Sequence, residues 1–159
     1  MARSRLSIAV QIEAPDWRKA WPRLSSEAKR VLTLAAARPE LADATGEVAI
    51  VFADDARLRG LNARFRGKDK PTNVLSFADP QVPLGGIALA FETVRDEASA
   101  QKKPFANHSK HLILHGFLHL LGYDHETARG ARLMEGLEIA ILSAMGIPNP
   151  YLLRTTTRA

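Results

Sequence analysis

The stretch HGFLHLLGYDH, residues 115–125, constrains this chain most, because it holds three of the five histidines. On a helix, His115 and His119 share one face, with Cβ atoms roughly 5 to 6 Å apart. Gly122 is the natural left-handed residue to end that helix and reverse the chain, which would bring His125 back toward the same point. The stretch therefore predicts a helix end at which three imidazoles converge.

Three imidazole nitrogens at about 2.0 to 2.1 Å, with a fourth position open to water, are the ligands of catalytic rather than structural zinc. The chain has no cysteine, so a metal must be held by His, Asp or Glu. We predict one Zn²⁺ per chain, held by His115, His119 and His125. The alternative is a stripe of core histidines, and the placement of the glycine and the third histidine argues against it.

His111 lies one helical turn before His115 on the same stripe. It is eight residues from His119, which is about 12 Å along a helix axis, so these two imidazoles cannot share one zinc. We therefore expect His108 and His111 to be surface groups or to face a substrate.

The histidine spacing also occurs in metzincin peptidases, which carry a glutamate as general base immediately after the first histidine. In this chain that position is Gly116, which cannot accept a proton. A peptidase is therefore the weakest of the functions considered. Zinc can still withdraw charge from a phosphoryl oxygen, so phosphodiester cleavage remains open.

Length and charge narrow the class of protein. A chain of 159 residues, 46% hydrophobic and 25% charged, is expected to be one globular domain spanning 1–159. A net charge of +5 favours polyanionic partners such as nucleic acid. The absence of cysteine fits a reducing compartment, and the apolar run at 6–12 does not read as a signal peptide. We expect a cytoplasmic protein with no membrane partner.

Hydrophobic periodicity predicts alternating strands and helices. Strands are expected at 5–12, 46–53, 73–78 and 87–91, with a turn at PLGG, 83–86. Helices are expected from Asp16 to about Ala35, with Pro22 tolerated in the first turns, and at 54–65, 92–101, 108–121 and 126–145. A polar loop is expected at 66–72 and a frayed tail at about 152–159, and Trp17 and Trp21 are expected to be core residues.

Some strand connections are too short for helical crossovers, so the sheet is expected to be mixed. The prediction is an α+β domain with a four-stranded mixed sheet, about five helices and the zinc site at a helix end.

Two stretches carry a family resemblance. HGFLHLLGYDH together with LNARFRGKDKPTNVLSF, residues 61–77, resembles the YbeY family of bacterial zinc-dependent endoribonucleases and ribosomal RNA maturation factors. ETVRDEA at 92–98 and ILSAMGIPNPY at 141–151 extend it, so the resemblance covers roughly residues 46–151. One departure is Gly86, where family members often have aspartate.

The resemblance implies an α+β domain, one zinc held by the three histidines named above, and a role in small-subunit ribosomal RNA processing and ribosome quality control. It also implies a functional arginine at Arg66. Without the resemblance, the six basic residues within 57–70 read as a solvated surface. A guanidinium can nevertheless bind phosphate bidentately and stabilise charge in a transition state.

Lys68 and Lys70 are candidate contacts to an RNA backbone. For Asp124 two roles stay open, a hydrogen bond that orients a metal ligand or a place in a turn.

The first hypothesis is a zinc-dependent endoribonuclease that prefers single strands and matures small-subunit ribosomal RNA. Its partners would be a ribosomal RNA precursor and, as candidates, a small-subunit ribosomal protein and an Era-type GTPase. The alternative is a ribosome-assembly or RNA-binding factor with a mainly structural zinc and no cleavage of its own.

Overall fold

The computed structural model describes residues 5–79 and 82–152. Its four strands form one sheet of order β1-β2-β4-β3: β1 Arg5–Ile12, β2 Thr45–Ala53, β3 Val74–Asp79 and β4 Val82–Ala90. β2 pairs in parallel with β1 and β4, while β3 runs antiparallel to β4. The predicted mixed sheet is confirmed. The expected frayed tail lies, from residue 153 onward, outside the described residues.

Six α-helices accompany the sheet within the described residues, where about five were expected. They are α1 Asp16–Ala20, α2 Leu24–Ala36, α3 Asp55–Arg66, α4 Phe91–Gln101, α5 Phe105–Leu120 and α6 Ala128–Ala144, and a 3₁₀ turn covers Pro39–Leu41. Asp54 caps α3 by accepting a hydrogen bond from the Arg57 N–H, and Thr127 caps α6 in the same way.

The prediction of one helix from Asp16 to Ala35 is wrong, because the chain leaves helical geometry between α1 and α2. Trp21 ends α1 with φ −141°, and Pro22 follows it without an N–H to donate. Both tryptophans are nevertheless buried, as predicted. Trp17 also donates its indole N–H to the carbonyl of Ala53, which fixes α1 to the end of β2.

The prediction of a turn at PLGG is also wrong, because these residues lie within β4. Gly85 has φ +133°, and a Cβ on it would lie 2.7 Å from the Phe77 carbonyl oxygen. A Cβ on Gly86 would lie 2.4 Å from Cζ of Phe77, its partner in β3. The two glycines therefore allow a close approach by the neighbouring strand instead of reversing the chain.

The two faces of the sheet are covered unequally. The larger core joins one face to α2, α4, α5 and α6, and includes Trp17, Leu32, Ile50, Ile87 and Phe117. On the other face α3 packs Leu58 and Leu61 against a smaller cluster. This arrangement lays α5 against β3 and β4, and so fixes the position of its histidines.

None of the helices in 5–79 and 82–152 has both the length and the apolar character needed to cross a membrane.

Candidate metal centre

α5 ends as the sequence predicted. Leu121 follows its last residue, Gly122 takes φ +98°, and the Gly122 N–H donates to the His119 carbonyl. The reversal returns the chain so that His125 lies beside His115 and His119. We call these three side chains the imidazole triad. They lie at a helix end, as expected.

The spacing of the triad suits one metal ion. Nε2 of His115 and Nε2 of His119 are 3.1 Å apart, and one ligand nitrogen from each of the three rings lies within 4.8 Å of the others. Two nitrogens bound tetrahedrally at about 2.0 to 2.1 Å would be about 3.3 Å apart. The donor set therefore fits a divalent cation such as zinc, and it leaves one side open because His125 is exposed.

The protonation state also suits a metal. Burial lowers the pKa of His119, and the nearby His115 and His125 lower it further. A metal needs the neutral imidazole with a free lone pair, and a lowered pKa favours that form.

Glu138, a buried residue of α6, orients the triad from behind. Its carboxylate accepts hydrogen bonds from His115 Nδ1 at 2.6 Å, from His111 Nε2 at 2.9 Å and from the Tyr151 hydroxyl. An ionised carboxylate only accepts, so Nδ1 of His115 must carry the proton. In the neutral imidazole, Nε2 of His115 is then the nitrogen that carries the lone pair, and it faces Nε2 of His119.

Glu138 is ionised in this network. Burial raises its pKa, but the hydrogen bonds from His111 and His115, the charge of His111 and the Tyr151 hydroxyl outweigh burial and lower the pKa to about 2. Burial and the carboxylate together raise the pKa of Tyr151. His111, His115 and Glu138 are also close enough to hold a metal. Their direct contacts of 2.6 and 2.9 Å leave no gap for an ion, so we interpret this cluster as a hydrogen-bond network.

The expectation that His108 lies at the surface is wrong. Its side chain is 5% exposed, and its Nε2 lies 2.9 Å from Glu97, which also accepts from the Asn73 amide. His111 borders the same cleft as the triad, but Glu138 holds its Nε2. His108 was misplaced because its partner comes from α4, which helical spacing cannot reveal. His111 lies at the cleft, in keeping with the expectation that it lies at the surface or faces a substrate.

The triad opens into a cleft of about 740 Å³ that Arg66 also lines. Arg66 was expected to lie in a loop, but it is the last residue of α3. Gly67, in the left-handed conformation, ends the helix directly after it. Its side chain is exposed and makes no ion pair within the described part of the chain. The fold therefore brings Arg66 and the triad, about fifty residues apart in sequence, to one cleft.

The other charged candidates, Lys68, Lys70 and Asp124, differ in their position relative to the cleft. Lys68 and Lys70 are exposed in the loop after α3. Neither is among the described residues that border the cleft. Asp124 borders it, and its Oδ1 accepts from the Glu126 N–H at 3.1 Å. That bond belongs to the turn before α6, so the turn role is the one its described contacts favour.

Gly116 is a packing residue. A Cβ there would lie 2.8 Å from Cγ2 of Ile87 and 3.0 Å from Oγ of Ser76. The Ser76 hydroxyl donates to the Gly116 carbonyl at 2.7 Å, which binds α5 to β3. A glutamate at this position, as in the metzincin pattern, does not fit between helix and sheet.

Sequence reasoning missed Glu138 and Tyr151. A signal for Glu138 was present, because this carboxylate lies on the stripe of α6 that also carries Met134, Leu137, Ile141 and Leu142. A charged residue on an apolar helix face is buried only with partners. Its partners could have been sought among the histidines.

Comparisons with known proteins agree with this geometry. A family model described as Endoribonuclease YbeY matches residues 11–146. An Endoribonuclease YbeY of Paramagnetospirillum magneticum is 46% identical over 157 residues, covering 92% of this chain and 96% of the relative. One of Rhodopseudomonas palustris is 50% identical, covering 89% and 79%.

A solution structure of a Thermotoga maritima protein has the same fold, with a TM-score of 0.58 at 22% identity over 87% of this chain and 91% of that one. The family match begins at residue 11, so it extends well before the motifs that carried the resemblance. Together with the cleft that holds the imidazole triad, these matches confirm the expected enzyme class, and the chain belongs to the endoribonuclease YbeY family.

Proposed function

We propose that this protein is a zinc-dependent endoribonuclease that prefers single-stranded RNA and acts in small-subunit ribosomal RNA maturation and ribosome quality control. The observation that carries the proposal is the convergence of the imidazole triad in an open cleft that Arg66 also lines. Family membership supports the reaction class. A cytoplasmic location and one zinc per chain are part of the same proposal.

The triad would hold the zinc through three imidazole nitrogens. When bound, the zinc supplies Lewis-acid polarisation of a phosphoryl oxygen and a water of lowered pKa. Structural zinc sites are closed by four protein ligands. The exposure of His125 and the open side of the triad therefore favour a catalytic over a structural metal.

The chain's own groups have distinct roles in this proposal. Glu138 holds the proton on Nδ1 of His115 and so keeps its Nε2 available to the metal. Arg66 binds the scissile phosphate through its guanidinium and stabilises the charge that develops there. The absence of a carboxylate partner for Arg66 in the described residues leaves its charge available to RNA.

Cleft size and charge support the substrate class. A volume of about 740 Å³ is in the range of ~300 to 1,000 Å³ found for small-molecule sites, which suits a short unpaired stretch of one strand. The net charge of +5 favours a polyanion. An RNA precursor would be the substrate, with a small-subunit ribosomal protein and an Era-type GTPase as candidate directing partners.

A nuclease assay tests the proposal. Zinc-loaded protein, purified free of other nucleases, should cleave single-stranded RNA faster than a duplex of the same sequence. His119→Ala should abolish cleavage, and Leu133→Ala, which removes an exposed apolar side chain of α6, should leave it unchanged. RNA binding without turnover by the wild-type protein would instead support the assembly-factor alternative.

A further inference from the structure

A second recess lies on the sheet face that α3 covers only in part. This sheet-face pocket has a volume of about 220 Å³, with Gln11, Ala49 and Gly86 of the sheet on one side and Arg64 and Phe65 of α3 on another. That volume has room for one planar ring system.

Phe77 lies between this pocket and the metal cleft, and its ring is paired with that of Phe65. The rings of Phe65 and Phe77 are stacked, with centroids 5.1 Å apart and planes at 26°. Phe77 lines both recesses, and its ring lies over Gly86, where any Cβ would come within 2.4 Å of it. Phe65 is nevertheless 40% exposed, so it presents aromatic surface to solvent at the sheet-face pocket.

The charges around the pocket favour binding of a negatively charged backbone. The Arg64 guanidinium lies 5.1 Å from the Phe65 ring centroid and makes no ion pair among the residues described. Arg57 pairs with Glu13 at 3.3 Å, so that carboxylate is neutralised within the pocket. Gln11 adds an amide that both donates and accepts hydrogen bonds. Aromatic rings and guanidinium planes are the surfaces on which proteins stack unpaired bases.

We propose that the sheet-face pocket is a nucleobase subsite, in which Phe65 and Arg64 stack an unpaired base of an RNA strand whose backbone continues past Arg66 into the metal cleft. The inference rests on the proposed endoribonuclease function and adds a binding position to it. Arg64, Phe65 and Arg66 are consecutive, with the first two at the pocket and the third at the cleft. The proposed strand would pass from the pocket to the cleft across the last turn of α3.

The test uses full-length, zinc-loaded protein and an eight-nucleotide single-stranded RNA, with binding measured by rapid mixing before turnover. Phe65→Leu keeps an apolar side chain against Phe77 but removes the ring, and should weaken binding about 5- to 150-fold. Phe65→Trp should bind like wild type, and its emission should be quenched by the RNA. Trp17 and Trp21 are buried and supply a constant background.

A matched series of RNAs makes the assay specific. Each RNA carries one abasic nucleotide, and wild-type protein should lose affinity mainly at one position of the series. Phe65→Leu protein should be insensitive to an abasic nucleotide at that position, since the ring that recognises the base is gone. Leu133→Ala, again the exposed apolar control, should behave as wild type throughout.

The outcomes separate the subsite from the function on which it rests. If wild-type protein binds and cleaves RNA but Phe65→Leu binds equally well and Phe65→Trp is not quenched, the subsite is wrong and the endoribonuclease stands. If Phe65→Leu shows the same abasic profile as wild type, the base lies elsewhere and the subsite is again wrong. If wild-type protein neither binds nor cleaves RNA, the proposed function fails and the subsite fails with it.

Discussion

Replacing Glu138 by glutamine should weaken zinc binding while leaving all three proposed ligands in place. The amide has the shape of the carboxylate but only one oxygen to accept hydrogen bonds. Three donors converge on Glu138, from His115, His111 and Tyr151. The amide NH₂ must therefore face a donor: either Nδ1 of His115, which then loses its acceptor, or His111 and Tyr151. In the second case the neutral amide oxygen still holds the His115 proton less strongly than the carboxylate does.

The magnitude follows from the contacts. Loss of a partner that orients a metal ligand costs about 10- to 100-fold in metal affinity, which is about 1.4 to 2.7 kcal/mol. At least one buried donor is left unpaired, which costs the metal-free protein about 1 to 3 kcal/mol of unfolding free energy. For a domain of this size that lowers Tm by about 2 to 12 °C.

Competition with a fluorescent chelator measures the zinc affinity, and thermal melts of metal-free protein measure the stability. Glu135→Gln is the matched control, because it removes the same charge three residues earlier and leaves every hydrogen bond of Glu138 in place, although the Glu135 charge also acts on Tyr151. A folded Glu138→Gln protein with wild-type zinc affinity would refute the orienting role of Glu138, whatever its Tm.

Alanine in place of any triad imidazole should take bound zinc well below one per chain in metal analysis, whereas His111→Ala should retain it. Arg66→Ala should keep the fold and the zinc but reduce the rate of RNA cleavage by about 10² to 10³, and Arg66→Lys should recover part of that rate. Cleavage and thermal-melting assays run in parallel measure both variants. Burial raises the pKa of Glu97, but hydrogen bonds from His108 and Asn73 outweigh it and hold the pKa below 4.5. The ionised Glu97 carboxylate therefore stabilises the fold fully above pH 4.5, and this stabilisation is lost as the pH falls below that value. The difference in Tm between wild type and Glu97→Gln should accordingly shrink in acid. Gly116→Ala puts a methyl 2.8 Å from Ile87 Cγ2 and should cost about 1 to 3 kcal/mol in urea unfolding, and an unchanged midpoint would contradict that packing.

The imidazole triad could be predicted from sequence because its geometry is local. Helical spacing aligns His115 with His119, and one left-handed glycine returns His125. Arg66 was found through resemblance alone, since no local pattern brings the end of α3 to a cleft formed by α5. Arg66 lies at a helix end and not in a loop because Gly67, with φ +67°, ends α3 directly after it.

Three of the failures involve information from another part of the chain. Gly85 and Gly86 fit either a turn or a close approach between strands, and only the position of Phe77 decides between them. His108 was assigned to the surface because its partner, Glu97, lies on α4. Glu138 was overlooked because its three donors come from α5 and from the segment after α6.

Tyr151 ties the end of the described chain to the metal centre through Glu138. During synthesis the three imidazoles are all present once residue 125 is made, but α6 and Tyr151 come later. A polypeptide interrupted between these points carries every proposed ligand but lacks the carboxylate that holds the proton on His115 and the hydroxyl that donates to that carboxylate. The order of translation therefore separates the capacity to capture a metal from the capacity to orient it, and a nascent chain gains the second only after α6 and Tyr151 have been made.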